Sequence, residues 1–380
     1  MAENTLTAIV PDIYEALDVV SRELTGMIPA VHTDFSSERI GKDQNVIVDI
    51  APAIAGVDVT PAMAVPDPTG LTSGSATIQI TKERAFPFGF NGNDAKKLNT
   101  GVGYQNHRAG KIAQAIRACV NEVETDLAAL HTSFSRAYGT AATTPFATAN
   151  DYTDASNVLK ILKDNGSPGS DNQLVIDTAA GANFLGKQSA VNSAGTDSML
   201  RQGVLLDLAG MPLRESAKIN TTTKGTGTSY TSAATGYAIG TTSIPIITGS
   251  GTVVAGDFVT FAGDANKYKV TTGVSAPGTI VIAEPGLRIA LAASAVAMTI
   301  GGNAAQNLCF NRSAIVLASR ATAMPEEGDQ ADDSIMITDP RSGLALEFLM
   351  YKGYRKVRYE VALAWGVKNI KPEHTAVLLG

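Results

Sequence analysis

One apolar stripe between residues 103 and 139 constrains everything around it. Ile112, Ile116, Cys119, Val123, Leu127, Leu130 and Phe134 follow one another at steps of four, three, four, four, three and four, with polar residues between them. A repeat near 3.6 puts all seven side chains on one side of a single helix. About 30 helical residues make a rod of ~45 Å, and Gly139 supplies a C-terminal cap. Helices this long usually pair in bundles or coiled coils, yet no second stripe of comparable length occurs. A sheet must therefore cover the stripe. The expectation is an elongated, plate-like molecule of the α+β class.

Strand patterns lie on both sides of that helix. In residues 45–50 Val46, Val48 and Ile50 share a face, and Ile78 and Ile80 do the same downstream. Between them stand Pro52, Pro61, Pro66, Pro68, Gly70 and Gly74, too many for a simple turn. Residues 44–90 thus read as a long β-hairpin with an elaborate tip. Before it, Ile13, Leu17, Val20 and Leu24 predict a short helix over 11–26, started by Pro11 and ended by Gly26, and His32 to Asp43 reads as polar and extended. After the long helix, Thr153 or Asp154 can cap a helix through Leu162 that Asn165-Gly166 stops. A buried strand at 174–180 and a short helix at 182–190 follow, then a polar loop near Asn192–Asp197. Residues 203–219 read as strand, Gly210-Met211-Pro212 turn and strand. Residues 306–320 carry a strand and a helical turn, and Asp339-Pro340-Arg341-Ser342-Gly343 signals a hairpin. Val357, Tyr359, Val361, Leu363, Trp365 and Val367 alternate as in a half-buried strand.

Residues 221–303 differ in composition from their flanks. From Gly225 to Ala255 no residue is charged, and beyond Ala255 only Asp257, Asp264, Lys267, Lys269, Glu284 and Arg288 are. Short Val-, Ile- and Thr-rich runs separated by glycine predict a small β-barrel or sandwich inserted into the α/β pattern.

Composition bounds the function. With 380 residues, 44% of them hydrophobic and 17% charged, the chain can build a large core and bury further surface against copies of itself. A net charge of −6 argues against a sequence-reading DNA binder. No apolar run reaches the ~18 residues of a membrane span, and the first residues lack a basic, then apolar, secretory pattern, so the expected compartment is the cytosol. Cys119 and Cys309 read as small buried hydrophobes.

Each chemical motif has a plainer reading. Gly181 to Lys187 reproduces a phosphate-loop spacing, but Gln188 stands where a magnesium-binding hydroxyl belongs, so a helix with a glycine end is preferred. The Gly-x-Gly after Lys224 lacks the rest of the dinucleotide fingerprint. His32, His107, His131 and His374 are too scattered for a metal. Glu122, Glu124 and Asp126 read as a solvated or subunit-facing row on the polar side of the long helix. Arg355, Lys356 and Arg358 read as ion pairs to a neighbouring subunit or a solvated strand face, ahead of a nucleic-acid contact. No catalytic, cofactor-binding or metal-ligating constellation emerges.

The order of these elements, with the stretches at 203–219 and 362–380, resembles tailed-bacteriophage major capsid proteins of the Hong Kong 97-like fold. Residues 256–263 and the position of 221–303 resemble podovirus coat proteins with an inserted β-barrel. The resemblance implies an N-terminal arm at 1–40, an extended hairpin loop and return strand at 41–99, and a spine helix with peripheral domain at 100–150. It further implies an axial domain at 151–220, the inserted domain at 221–303, and a second axial and peripheral part at 304–380. The implied function is an icosahedral shell of pentamers and hexamers around double-stranded DNA, in a virion capsid assembled in the host cytoplasm. The implied partners are further copies of the chain, a scaffolding protein, a portal, and DNA touched without sequence preference. A decoration protein stays open. An encapsulin-type compartment is the alternative, and a nucleotide-binding enzyme rests only on Lys187. Some relatives cross-link subunits through a loop lysine; Lys82 lies in the hairpin, but no partner for it can be named.

Overall fold

In the computed structural model, residues 24–50, 74–98, 104–148, 151–187, 207–339 and 342–380 are described. The chain enters through β1 (His32–Ile40) and forms a ribbon from β2 (Asn45–Ile50) and β3 (Gly74–Gln79). The ribbon pairs Val46 with Ile78 and Val48 with Ala76. The hairpin tip at 51–73 and nearly all of the helix expected over 11–26 lie outside the described residues; residues 24–26 are not helical. A return strand, β4 (Lys82–Asn91), leads through a short helix (Gly92–Leu98) into the long helix, Tyr104–Ala129.

The long helix is extended by one 3₁₀ turn, Leu130–Ser133, and stops there. Its expected run to Gly139 is not observed. Phe134 turns to an extended conformation, is fully buried, and meets Phe310 at 6.2 Å between ring centroids. Residues Arg136–Tyr138 then form β5. Backbone ladders are available to β5 on both sides, and tertiary pairing overrides the helical pattern of the sequence. The stripe itself is buried as its period requires: Ile112, Cys119, Val123 and Leu127 are fully covered.

The next helix (Thr153–Asp164) leads to β6 (Asn172–Ile176), a helix at Thr178–Lys187, and β7 (Leu213–Glu215). Neither Thr153 nor Asp154 caps the first of these helices. The Asp154 carboxylate accepts from the Phe146 amide at 2.9 Å instead. The expected stop does occur: the Gly166 amide donates to Lys163 and the Ser167 amide to Leu162, with Gly166 at φ +80°. The turn before β7 is centred on Ala209-Gly210, both at positive φ, one residue earlier than the sequence suggests. Residues 203–206 of the strand expected before it and the loop near Asn192–Asp197 lie outside the described residues; the described end of that strand makes only an isolated bridge, Leu208 to Met211.

Residues 221–303 contain strands and no helix among their described elements: β8 (Thr221–Thr222), β9 (Tyr230–Thr231), β10 (Ser243–Ile246), β11 (Phe258–Phe261), β12 (Lys267–Thr272), β13 (Gly278–Ile282) and β14 (Ala297–Ile300). They enclose a core of their own, with Tyr230, Ile244, Val259, Phe261, Tyr268 and Ile280 inside. The last part holds β15 (Ala304–Asn311), β16 (Ile315–Thr322), β17 (Asp333–Thr338), β18 (Ala345–Gly353), β19 (Lys356–Asn369) and β20 (Thr375–Leu379).

Two sheets organise these strands. One runs β1-β16-β19-β18-β17, with β4 along the other side of β19. The alternation in β19 points Tyr359, Val361, Leu363 and Trp365 at the long helix, where they share a core with Ile112, Ile116 and Val123. The opposite face of the same sheet receives the ribbon, through Ile78, Ile80, Val316, Ala318 and Ala364. Gly366 is required there, because a Cβ would lie 2.1 Å from the Gln79 carbonyl oxygen. The second sheet runs β7-β6-β15-β20-β5-β12-β11-β14-β9, so β12 of residues 221–303 is hydrogen-bonded directly to β5 after the long helix.

Candidate functional site: the carboxylates of the long helix

The three carboxylates near the end of the long helix are not a solvated row. At 100° per residue, Glu122 and Asp126 stand together and Glu124 points almost the opposite way. Glu122 and Asp126 meet the start of β4. Lys82 Nζ lies 2.8 Å from Asp126 Oδ1 and 3.3 Å from Glu122 Oε1, and Arg84 Nε lies 2.9 Å from Glu122. The Trp365 indole donates to the other Asp126 oxygen at 2.9 Å, and Lys82 sits 5.8 Å from that ring's centroid. The register explains the grouping, since β4 pairs Lys82 with Trp365 and Arg84 with Leu363. Burial alone would pull the Lys82 ammonium down, but hydrogen bonds and attraction from Asp126 and Glu122 raise it above its ordinary value. An amine held this way is a poor nucleophile, and its partners are in its own subunit.

Glu124 has no exposed surface. It accepts from the Met27 amide at 2.8 Å, the Ile28 amide at 3.1 Å and the Ser216 hydroxyl at 2.7 Å. One carboxylate thus joins the long helix, the segment entering β1 and the connector after β7. Burial pushes Glu124 above the usual carboxylate range, against the amides and hydroxyl that favour its charged form. The signal was present in the sequence: Glu124 stands four after Val120 and three before Leu127, at the spacing of the apolar stripe.

The other singled-out residues disperse. Residues 181–187 are helical, and the Gly181 amide donates to the Asp177 carbonyl, so this backbone is committed and cannot cradle a phosphate as a loop would. His107 packs edge-on against Phe90. His131 is pulled down to about 4 by burial and by the charge of Lys269. Among the described residues no group of His, Cys, Asp and Glu could hold a metal. Cys119 and Cys309 are free, buried, and pushed far above the ordinary thiol range by burial. Arg355 and Lys356 form the tip of the β18–β19 hairpin beside Tyr354, which is 88% exposed, while Arg358 pairs with Glu360 of its own strand at 2.7 Å. No described helix is long and apolar enough to cross a membrane.

Sequence reasoning missed a second anchor. Glu347, 2% exposed, takes a bidentate pair from Arg39 at 2.5 and 3.1 Å and a hydrogen bond from the Thr322 hydroxyl. It ties β1 to β18 across β16. Arg39 and Glu347 are 308 residues apart, and no local pattern links them.

No protein-family model matches the chain, and no curated protein matches it. Solved structures do. Mycobacterium phage Che8 matches over 94% of this chain and 92% of its own, at 14% identity and a TM-score of 0.47. A virus-like particle from Pyrococcus furiosus matches over 97% and 96%, at 10% identity and 0.40. The capsid of the cyanophage P-SCSP1u matches over 94% of this chain and 89% of that one, at 10% identity and 0.52. The fold is Hong Kong 97-like. In the terms of that fold, Tyr104–Ala129 is the spine helix, and its carboxylates hold the start of β4 on one side and the segment entering β1 on the other.

Proposed function

We propose that the chain is a major capsid protein, a structural subunit that assembles with its own copies as pentamers and hexamers into an icosahedral shell around double-stranded DNA. The observation that carries this reading is the likeness of 94% of the chain to the cyanophage capsid structure. Physical features agree with it. The β2–β3 ribbon buries one face only, and its Ile47 is 70% exposed. A two-stranded ribbon is marginal by itself, so neighbouring subunits supply its second face. Phe35 and Tyr354 are further large side chains left open to solvent.

On this reading residues 1–40 are the arm, 41–99 the extended loop and 221–303 an insertion of the podovirus kind in the axial domain. A scaffolding protein, a portal and non-specifically touched DNA are the remaining partners. The committed backbone at 181–187 supports a non-enzymatic role. Light scattering of the purified full chain tests the proposal: capsomer-sized or larger species are expected. A compact monomer at high concentration, with and without candidate scaffolding protein, would contradict it.

A further inference from the structure

One end of the β17-β18-β19 sheet carries charges that its own subunit does not use. On one side is the β18–β19 tip, where Arg355 and Lys356 are exposed beside Tyr354 and border a groove of ≈ 870 Å³ shared with Phe90, Asn91 and Ala95. On the other is the connector from β16 to β17. The Gly328 amide donates to the Pro325 carbonyl there at 3.0 Å, which makes a β-turn with Glu326 and Glu327 at its two corners, both exposed. Both pieces are pinned. Tyr351 donates to Asp329 at 2.6 Å, the Lys352 amide to Asp332 at 2.7 Å, and the Gly92 amide to the Arg355 carbonyl at 3.2 Å. In those positions Glu326 and Glu327 have no ion-pair partner among the described residues, and neither have Arg355 and Lys356. We propose that the turn at 325–328 of one copy docks at the β18–β19 tip of a second copy, with Glu326 and Glu327 meeting Arg355 and Lys356.

The choice of partner follows from the charges. Adjacent acidic residues occur at only two places in the chain, 326–327 and 332–333. At the second, Asp332 is already engaged by Lys352, whose ammonium lies 3.9 Å from it. A nucleic acid suits the tip poorly. Asp329 and Glu360 stand among its cations, and Arg358 is already paired with Glu360 at 2.7 Å, so a polyanion would meet carboxylates on the same surface. A four-residue turn asks for no more than the two outermost cations. Each copy offers both halves, so the contact is head-to-tail: the tip of one subunit meets the turn of the next, whose tip meets another. Tip and turn lie at the same end of one sheet, so successive subunits gather around an axis at that end. Exposed ion pairs add little affinity; they set orientation and reject misaligned copies. The inference rests on the self-assembly reading above and names one of its contacts.

Charge reversal in the full chain tests the inference, with assembly read by light scattering against protein concentration. Arg355→Asp with Lys356→Glu should raise the concentration needed for assembly on the order of tenfold or more, because like charges then face each other. Aspartate suits the positive φ of residue 355, +56°. Glu326→Lys with Glu327→Lys should do the same. All four substitutions together should bring assembly back to within about threefold of the unmodified chain, which neither a solvated face nor a DNA contact would do. Circular dichroism should be unchanged throughout, since all four side chains are exposed. If the unmodified chain assembles and the reversals assemble equally well, the inference is overturned while the assembly reading stands. A fourfold variant as impaired as the two pairs overturns it too, as does loss of DNA retention with assembly intact, which would assign the tip to nucleic acid. An unmodified chain that never associates overturns both readings.

Discussion

The long helix with its sheet and the junction of residues 221–303 with the body satisfy their buried charges in different ways. Glu124 of the helix is served by backbone amides and a hydroxyl, and on the sheet Glu347 is served by a bidentate arginine while Arg320 pairs with Asp34. Where residues 221–303 join the body the buried charges are mixed, with Lys269 and Arg136 beside Asp257 and Asp264, and the cations reach neutral acceptors. Lys269 has no exposed surface and donates to the Gly256 carbonyl and, at 3.0 Å, to Gln306. Arg136 on β5 reaches Asn266 and Asn165, and Lys267 donates to the Gly139 carbonyl. Carbonyl groups and amide oxygens accept these cations, and burial drags Lys269 down to about 7 against the pull of Asp257. The difference teaches how each part is attached. The helix gathers segments whose amides point inward, so it needs acceptors. The β-rich part is laid edge to edge on β5, where carbonyl groups line the junction, so it needs donors.

The largest effect should come from the helix-backed sheet. Trp365 is fully buried and also hydrogen-bonded to Asp126. Trp365→Ala is expected to cost about 4 kcal/mol in denaturant unfolding followed by circular dichroism. Lys269→Ala comes next, at about 3 kcal/mol, from a cavity and two acceptors left without a donor. Its effect should appear first as faster amide exchange in β11–β13 while the long helix stays protected; uniform loss of protection would erase the distinction between the two regions.

Lys269 also predicts a pH signature. Its folded value is about 7 and its ordinary one 10.5, so between these the unfolded chain holds the extra proton. Stability of the β-rich part should therefore rise with pH across that window, and Lys269→Met should flatten the rise. Thermal unfolding in a pH series checks it. Glu347→Gln weakens a charged, buried hydrogen-bond set and should cost about 2 kcal/mol. Arg84→Ala removes an exposed pair and should stay within about 0.5 kcal/mol in the same assay.

The two regions were also unequally legible. The stripe from Ile112 to Leu127, the alternation from Val357 to Val367 and the Val46–Ile78 ribbon could be read because burial on one face writes a period into the chain. Residues 221–303 were visible as a change in composition, and their strands matched the short apolar runs. The burial of their scarce charges Asp257, Asp264 and Lys269 was not legible. A charge's burial depends on partners such as Gln306 that come from elsewhere in the chain. The same holds for Arg39 and Glu347. The end of the long helix was missed for a related reason: Arg136–Tyr138 obey the ladder of β12 and β20, which local periodicity does not contain. Glu124 is the instructive exception, because its place in the stripe was open to view and its acidity disguised it.

Assembly is the central claim, and cryo-electron microscopy of particles formed by the full chain tests it most directly. Closed shells are expected, built of five- and six-membered capsomers, with the β2–β3 ribbon of each subunit lying over its neighbour and covering Ile47. Particles that never close, or a ribbon that touches only its own subunit while Ile47 faces solvent, would contradict the account.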